Sequence, residues 1–222
     1  MAVLVAGGTG YLGNAVVREL IGSGYDVAAT WVVERERERL ESEPVELIEA
    51  DLFDADQVGA AISKVDDLEA VVNLVGGFSD GPRVHETDPE DFERMLRLNV
   101  MPGFQLARAA MPRLIERSGG AFVGVSARPA LRPYAGAAGY ISSKAAVLAF
   151  VQALDAEYKG DGILCNAILP SVIDTPANRE AMPNADHSKW VPPERIAKVV
   201  RFLVSDDSAP TTGAAVPVYG RA

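Results

Sequence analysis

Apolar residues fall into short runs along the chain, separated by stretches with helical spacing. The runs "AVLVAG" (2–7), "YDVAATW" (25–31), "VELIEAD" (45–51), "LEAVVNLVG" (68–76), "AFVGVS" (121–126), "ILCNAILP" (163–170) and "AAVPVYG" (214–220) predict seven strands. Most are continuously apolar and do not alternate, as expected of strands covered by helices on both faces. Between the first two, "GYLGNAVVRELIGSG" (10–24) places Leu12, Val16, Val17 and Leu20 on one stripe and ends in glycines. In "TDPEDF", Asp88 predicts an N-cap, Pro89 suits the first helical position, and Glu90 and Asp91 complement the helix dipole. This strand–helix alternation predicts an α/β fold with a doubly wound, parallel sheet of about seven strands. No repeat or linker-like segment divides the chain, and a length of 222 residues suits a single domain over 1–222.

Composition narrows the function classes. With 48% hydrophobic and 23% charged residues the chain should fold as a globular protein. Its 31 acids against 21 bases, a net charge of −10, and the lack of a basic stripe argue against a nucleic-acid partner. Only five of the 21 bases are lysines, a bias that a salt-rich or a high-GC source would equally produce. Cys165 is the single cysteine, so no internal disulfide can form, and its setting in "ILCNAIL" predicts a buried thiol. His85 and His187 are too far apart in sequence to suggest a metal site. His187 lies in the polar segment "PNADHSKW", read as a substrate-side loop in which Met182, His187 and Trp190 are candidate substrate contacts. The apolar stretch after Met1 is too short for a signal peptide or a membrane span, so a cytoplasmic location with no membrane partner is expected.

"VAGGTGYLG" (5–13) places Gly7, Gly10 and Gly13 at the strand-to-helix turn of the first βαβ unit. There, glycines let backbone N–H groups and a helix N-terminus approach a pyrophosphate. The expected contacts are Gly7, Thr9, Gly10, Tyr11, Leu12 and Gly13. The residue that should meet the adenosine ribose, eighteen positions past Gly13, is Trp31 and not the acid that would accept from a 2′-hydroxyl. Arg35 and Arg37, in the charge run "VERERERLESE" (33–43), are near enough in sequence to meet a 2′-phosphate, which favours NADP over NAD. Two bland readings stand beside this one. The run could be a solvated helix face, and Trp31 could pack on adenine or shield the sheet edge.

"GYISSKAAV" (139–147) places Tyr140 and Lys144 at i and i+4, on one face of a predicted helix. An ammonium beside a phenol stabilises the phenolate and would bring the tyrosine into acid/base range. Alone, such a pair is more often a helix surface pair than a catalytic one. Ser126, fourteen residues before Tyr140 at the end of the fifth strand, adds a hydroxyl at the edge where open α/β sheets bind ligands; it could hold a substrate carbonyl.

With the glycine motif, Ser126 and Tyr140-x-x-x-Lys144, the chain resembles a short-chain dehydrogenase/reductase from end to end. The resemblance implies a Rossmann-type sheet and an NAD(P)-dependent oxidoreductase acting on a small molecule. Tyr140 is then the proton donor or acceptor, Lys144 lowers its pKa and holds the nicotinamide ribose, and Ser126 orients the substrate. Asn99, in "LRLNV", matches the asparagine that holds a water in a proton relay. Asp51 and Leu52 match the adenine contacts, and Asn73, Val75 and Gly76 in "NLVGG" stand where the family has Asn-Asn-Ala-Gly. In "PSVIDT", Pro170, Ile173 and Thr175 match the carboxamide contacts, with Ser171 replacing a glycine. A homodimer or homotetramer is implied as well.

The spacing of Gly7, Gly10 and Gly13, "LVGGF", "VVERE" and above all "LPSVIDTPANREAMPNADHSKWVPPE" (169–194) resemble dihydropteridine reductases. Those enzymes carry no serine at the place of Ser126 and have an acid at the place of Trp31. The expected activity is therefore carbonyl or hydroxyl chemistry. Reduction of a quinonoid dihydropterin is an alternative, and a non-catalytic dinucleotide sensor or scaffold a third reading.

Overall fold

The computed structural model describes residues 1–221. All seven predicted strands are present: β1 (Ala2–Ala6), β2 (Asp26–Trp31), β3 (Glu46–Glu49), β4 (Leu68–Asn73), β5 (Gly120–Val125), β6 (Ile163–Pro170) and β7 (Ala215–Val218). They form one parallel sheet in the order β3-β2-β1-β4-β5-β6-β7. The intervening helices are α1 (Tyr11–Gly22), α2 (Glu34–Arg37), α3 (Ala55–Lys64), α4 (Pro89–Arg117), α5 (Ala138–Tyr158), α6 (Pro176–Ala181) and α7 (Pro193–Val204).

The continuous apolar runs are explained by burial on both faces. Along β1, Leu4 packs with Leu106 and Leu114 of α4 and Ile62 of α3, while Val3 and Val5 pack with Val16 and Leu20 of α1 and Val200 of α7. Alternate residues thus feed two separate cores. The apolar stripe Val147, Leu148, Val151 and Leu154, which continues α5 beyond Lys144, is buried within the protein itself and so belongs to its core.

Several strands are shorter than their apolar runs. β4 stops at Asn73, whose side-chain oxygen accepts from the Val75 amide at 3.1 Å and turns the chain out of the ladder. β1 stops before Gly7, whose φ of +74° a side chain would disfavour. The run at 33–43 is helix only over Glu34–Arg37, followed by a 3-10 turn that ends on the buried Leu40. Asp88 caps α4 as expected, accepting from the Glu90 amide at 2.9 Å.

The strand order reverses between β1 and β4, since the chain moves outward from β1 to β2 and β3 and then returns beside β1 as β4. Their carboxyl ends flank the crevice where ligands bind in such sheets. Among the described residues no helix is long and apolar enough to cross a membrane.

Candidate active site

The glycine loop lies at the end of β1. The Gly7 amide donates to the buried Thr30 hydroxyl of β2 at 3.2 Å, and the Gly10 amide to the Gly7 carbonyl at 3.2 Å. Thr9 is buried, Tyr11 is exposed, and Leu12 is partly buried against the α1–α7 core. Gly13 is required by packing within the protein: a Cβ there would fall on the Gly7 carbonyl oxygen and 2.6 Å from Gly8 Cα. At Gly10 a Cβ would meet protein no nearer than 3.5 Å, so the space beside it is open. An open, glycine-lined strand-to-helix turn fits a dinucleotide pyrophosphate.

Across the crevice, the segment after β4 passes over α4 and α5. A Cβ on Gly76 would lie 2.5 Å from Asn99 Oδ1 and 2.9 Å from Lys144 Nζ, so glycine allows three elements to meet. Asn99 is buried; its Oδ1 accepts from the Gly77 amide at 3.0 Å, and its Nδ2 donates to Ser143 Oγ at 2.9 Å. Ser143, also buried, donates to the Tyr140 carbonyl at 2.8 Å. The Asn99 side chain therefore clamps the loop to α5, where the resemblance implied a residue holding water. Ser143 was missed in sequence, although its i+3 spacing from Tyr140 points along the same helix face.

Lys144 is buried and its ammonium donates to the Val125 carbonyl at 3.0 Å. Burial pushes it down to about 8, and pushes Tyr140 up to about 12, with the Tyr134 phenol adding to the rise. Where the sequence led us to expect Lys144 to lower the Tyr140 pKa, desolvation is the largest influence on both groups here, and the ammonium is bonded to a backbone carbonyl. Phe78 stands edge-on to the Tyr140 ring, with centroids 4.9 Å apart, and roofs it.

Ser126 is engaged within the protein. It lies one residue past β5, buried, and its hydroxyl donates to the Lys144 carbonyl at 2.7 Å. A hydroxyl has one proton. Given to the Lys144 carbonyl, it ties β5 to α5.

At the carboxamide end, Thr175 caps α6, accepting from the Asn178 amide at 3.2 Å, and the Ile173 carbonyl accepts from Asn178 Nδ2 at 2.8 Å. The Ile173 amide is the backbone group there that the resemblance needs. Pro170 closes β6, and Ser171 donates to the Tyr219 carbonyl at 2.8 Å. Of the three substrate candidates, Trp190 is buried with its ring tilted against that of His187, centroids 4.3 Å apart, His187 meets the Met182 carbonyl at 2.9 Å, and Met182 is exposed.

At the adenosine end, Trp31 is half-buried beneath the Arg37 guanidinium, and Arg35 is exposed with no ion pair among the described residues. Asp51 is exposed at the end of β3, accepting from the Phe53 amide at 2.9 Å, with Leu52 buried beside it. The residue that reaches the glycine loop is Arg39, which sequence reasoning missed.

A parallel sheet with a glycine turn at its strand-order reversal, facing a buried lysine and a tyrosine, defines a dinucleotide-binding α/β oxidoreductase. The family model for short chain dehydrogenase matches residues 1–186, and the chain belongs to that family of NAD(P)-dependent oxidoreductases. It is 30% identical over 176 residues to a 4-formylbenzenesulfonate dehydrogenase of Comamonas testosteroni, covering 73% of this chain and 70% of that one. It is 28% identical over 189 residues to a 2-(R)-hydroxypropyl-CoM dehydrogenase of Xanthobacter autotrophicus, covering 78% and 76%. A 3-oxoacyl-[acyl-carrier protein] reductase from Brucella melitensis, solved with bound NAD, superposes with a TM-score of 0.86 at 26% identity, over 99% of this chain and 89% of that one.

The environment of Lys144 has a measurable consequence. A lysine whose folded pKa, about 8, lies below the unfolded value of 10.5 binds fewer protons folded than unfolded between those limits, so its contribution makes stability rise with pH there. Cys165 and Tyr140, both raised, act oppositely, from about pH 9 and 10 upward. Comparing the protein with Lys144→Met isolates the lysine. Urea midpoints should show the variant's advantage shrinking by about 2 kcal/mol between pH 7.5 and 10. A constant difference would show that Lys144 is not desolvated.

Proposed function

We propose that this chain is a single catalytic domain that moves a hydride between NADP(H) and a carbonyl or hydroxyl carbon of a small molecule, with Tyr140 handling the proton. The observation that carries this is Tyr140, held protonated by burial, on the same helix face as a buried Lys144 and beside the loop clamped by Asn99. A phenol can give its proton to the oxygen of a carbonyl being reduced and take it back from a hydroxyl being oxidised. When bound, the nicotinamide supplies the hydride.

The remaining roles belong to the chain's own residues. Gly7, Thr9, Gly10, Tyr11, Leu12 and Gly13 form the pyrophosphate turn. Asn73, Val75 and Gly76 line the middle of the crevice, where Lys144 would hold the nicotinamide ribose. Pro170, Ile173 and Thr175 flank the carboxamide, and Asp51 and Leu52 the adenine. Trp31 in place of an acid favours the 2′-phosphate form of the cofactor. Ser126 positions Lys144 through its carbonyl. Exposed Met101, Phe104 and Ile115 on α4 supply apolar surface in keeping with a homodimer or homotetramer.

A second reading, reduction of a quinonoid dihydropterin, is favoured by the Ser126 geometry. A serine engaged with the Lys144 carbonyl no longer separates this site from dihydropteridine reductases, which lack a serine there. One experiment tests both readings. A panel of aldehydes, ketones and quinonoid dihydrobiopterin is offered with reduced cofactor, to the wild type and to Ser126→Ala. Carbonyl turnover supports the first reading, and turnover of the pterin alone supports the second. In either case Ser126→Ala should keep kcat within roughly tenfold, because no donor to the substrate is removed; the 10²-fold or greater loss that follows removal of an oxyanion donor would restore Ser126 as the substrate anchor.

A further inference from the structure

Phe78 is a large apolar side chain that the fold holds in the open. It is 58% exposed, yet its ring is set edge-on against that of Tyr140, with centroids 4.9 Å apart and planes at 80°. Isolated exposed apolar residues are ordinary on a protein surface. This one stands beside the proton donor, and the chain around it is fixed from both sides. Before it, Gly77 is gripped by Asn99, whose Oδ1 accepts from the Gly77 amide at 3.0 Å and whose Nδ2 donates to the Gly77 carbonyl at 3.2 Å. After it, the Gly81 amide donates to the Gly136 carbonyl at 2.7 Å.

That last bond joins the segment after β4 to the segment leading into α5. Gly136, at a φ of +84°, permits the approach, since a Cβ there would lie 2.9 Å from the Gly81 carbonyl oxygen. The joined segment carries two further exposed apolar side chains, Leu131 and Tyr134. The Tyr134 phenol is close enough to Tyr140 to raise its pKa, so each segment brings an aromatic ring to the neighbourhood of Tyr140.

A carbonyl oxygen that takes the Tyr140 proton sits roughly 2.7 Å from the phenol oxygen. The groups on its carbon then extend along the rim that Phe78 and Tyr134 flank. Aromatic rings prefer edge-to-face and offset arrangements, so a planar ring placed there extends the contact that Phe78 already makes with Tyr140. An alkyl group would bury apolar area without that contact. We propose that Phe78 contacts the substrate and sets a preference for carbonyl compounds that carry an aromatic ring on the reacting carbon. The inference rests on the hydride-transfer reading above.

The test is steady-state turnover of benzaldehyde, cyclohexanecarbaldehyde and propanal, with NADPH and with NADH, by the wild type and by Phe78→Ala, Phe78→Leu and Phe78→Tyr. The two cyclic aldehydes are similar in size and differ in aromaticity. Wild type should favour benzaldehyde in kcat/KM. Phe78→Ala should lower the benzaldehyde-to-propanal ratio by about tenfold or more, through lost apolar contact and lost ring pairing together. Phe78→Leu keeps apolar cover beside Tyr140 and should lower the benzaldehyde-to-cyclohexanecarbaldehyde ratio by roughly 2- to 10-fold, the range for an aromatic pair. Phe78→Tyr should restore both ratios. Unchanged ratios in Phe78→Ala, with a common loss for all the aldehydes, would make Phe78 a cover for Tyr140 alone and overturn the proposal while leaving the hydride-transfer reading intact. So would a loss of NADPH affinity, read by tryptophan fluorescence, as large as the loss in kcat/KM for benzaldehyde, or a wild type that favours cyclohexanecarbaldehyde. A wild type that reduces none of the aldehydes would overturn the hydride-transfer reading, and the proposal with it.

Discussion

Tyr140→Phe is expected to lower turnover at least 10³-fold while leaving dinucleotide affinity within about twofold, with rates followed by nicotinamide absorbance and affinity by fluorescence titration. The size follows from what is removed. Tyr140 lies one helical turn before Lys144 on α5, and burial, with the nearby Tyr134, raises its pKa to about 12. The ring itself is packed edge-on against Phe78, and phenylalanine keeps that contact. The clamp of Ser143 and Asn99 acts on the Tyr140 backbone carbonyl and survives the substitution. The variant should therefore fold and bind normally. Turnover within tenfold of wild type would mean that another group delivers the proton.

Gly13→Ala should be the most damaging single change in the glycine loop, with Gly10→Ala as its contrast. At Gly13 the added Cβ meets backbone, the Gly7 carbonyl oxygen and Gly8 Cα and O, and backbone cannot swing aside as a long side chain can. A loss of about 3 kcal/mol or more is expected, read as a thermal midpoint lower by about 6 to 12 °C, with dinucleotide binding lost as α1 is displaced from the turn. At Gly10 a Cβ makes only ordinary contact, at 3.5 Å, so stability should change by less than about 1 kcal/mol. Gly10→Ala should nonetheless lose cofactor affinity, because the open space beside it is where the pyrophosphate approaches. If Gly10→Ala binds dinucleotide as wild type does, the turn is structural and the pyrophosphate lies elsewhere.

The two glycines show where sequence reading reaches its limit. Both belong to one motif and were read as one device, yet one is required by the protein's own packing and the other by space for a ligand. Ser126 and Lys144 show the same limit. Their spacing from Tyr140 is visible in the chain, but the hydroxyl's partner depends on how closely β5 and α5 pack. Asn99 meets Gly77 and Ser143 across 22 and 44 residues, contacts that no local pattern announces.

What the sequence by itself determined was the order of strands and helices, the two-sided burial of the strands, the glycine turn at the end of β1 and the shared face of Tyr140 and Lys144. These follow from local rules, apolar content, the helical period and the backbone freedom of glycine, which act over a few residues. Only the tertiary structure decided the charge states and partners: Lys144 lowered and Tyr140 raised, Ser126 bonded to a carbonyl, and Arg39, not Arg35, at the glycine loop. Desolvation and hydrogen bonding depend on which groups the completed fold brings within about 3 Å, and those groups lie far apart along the chain.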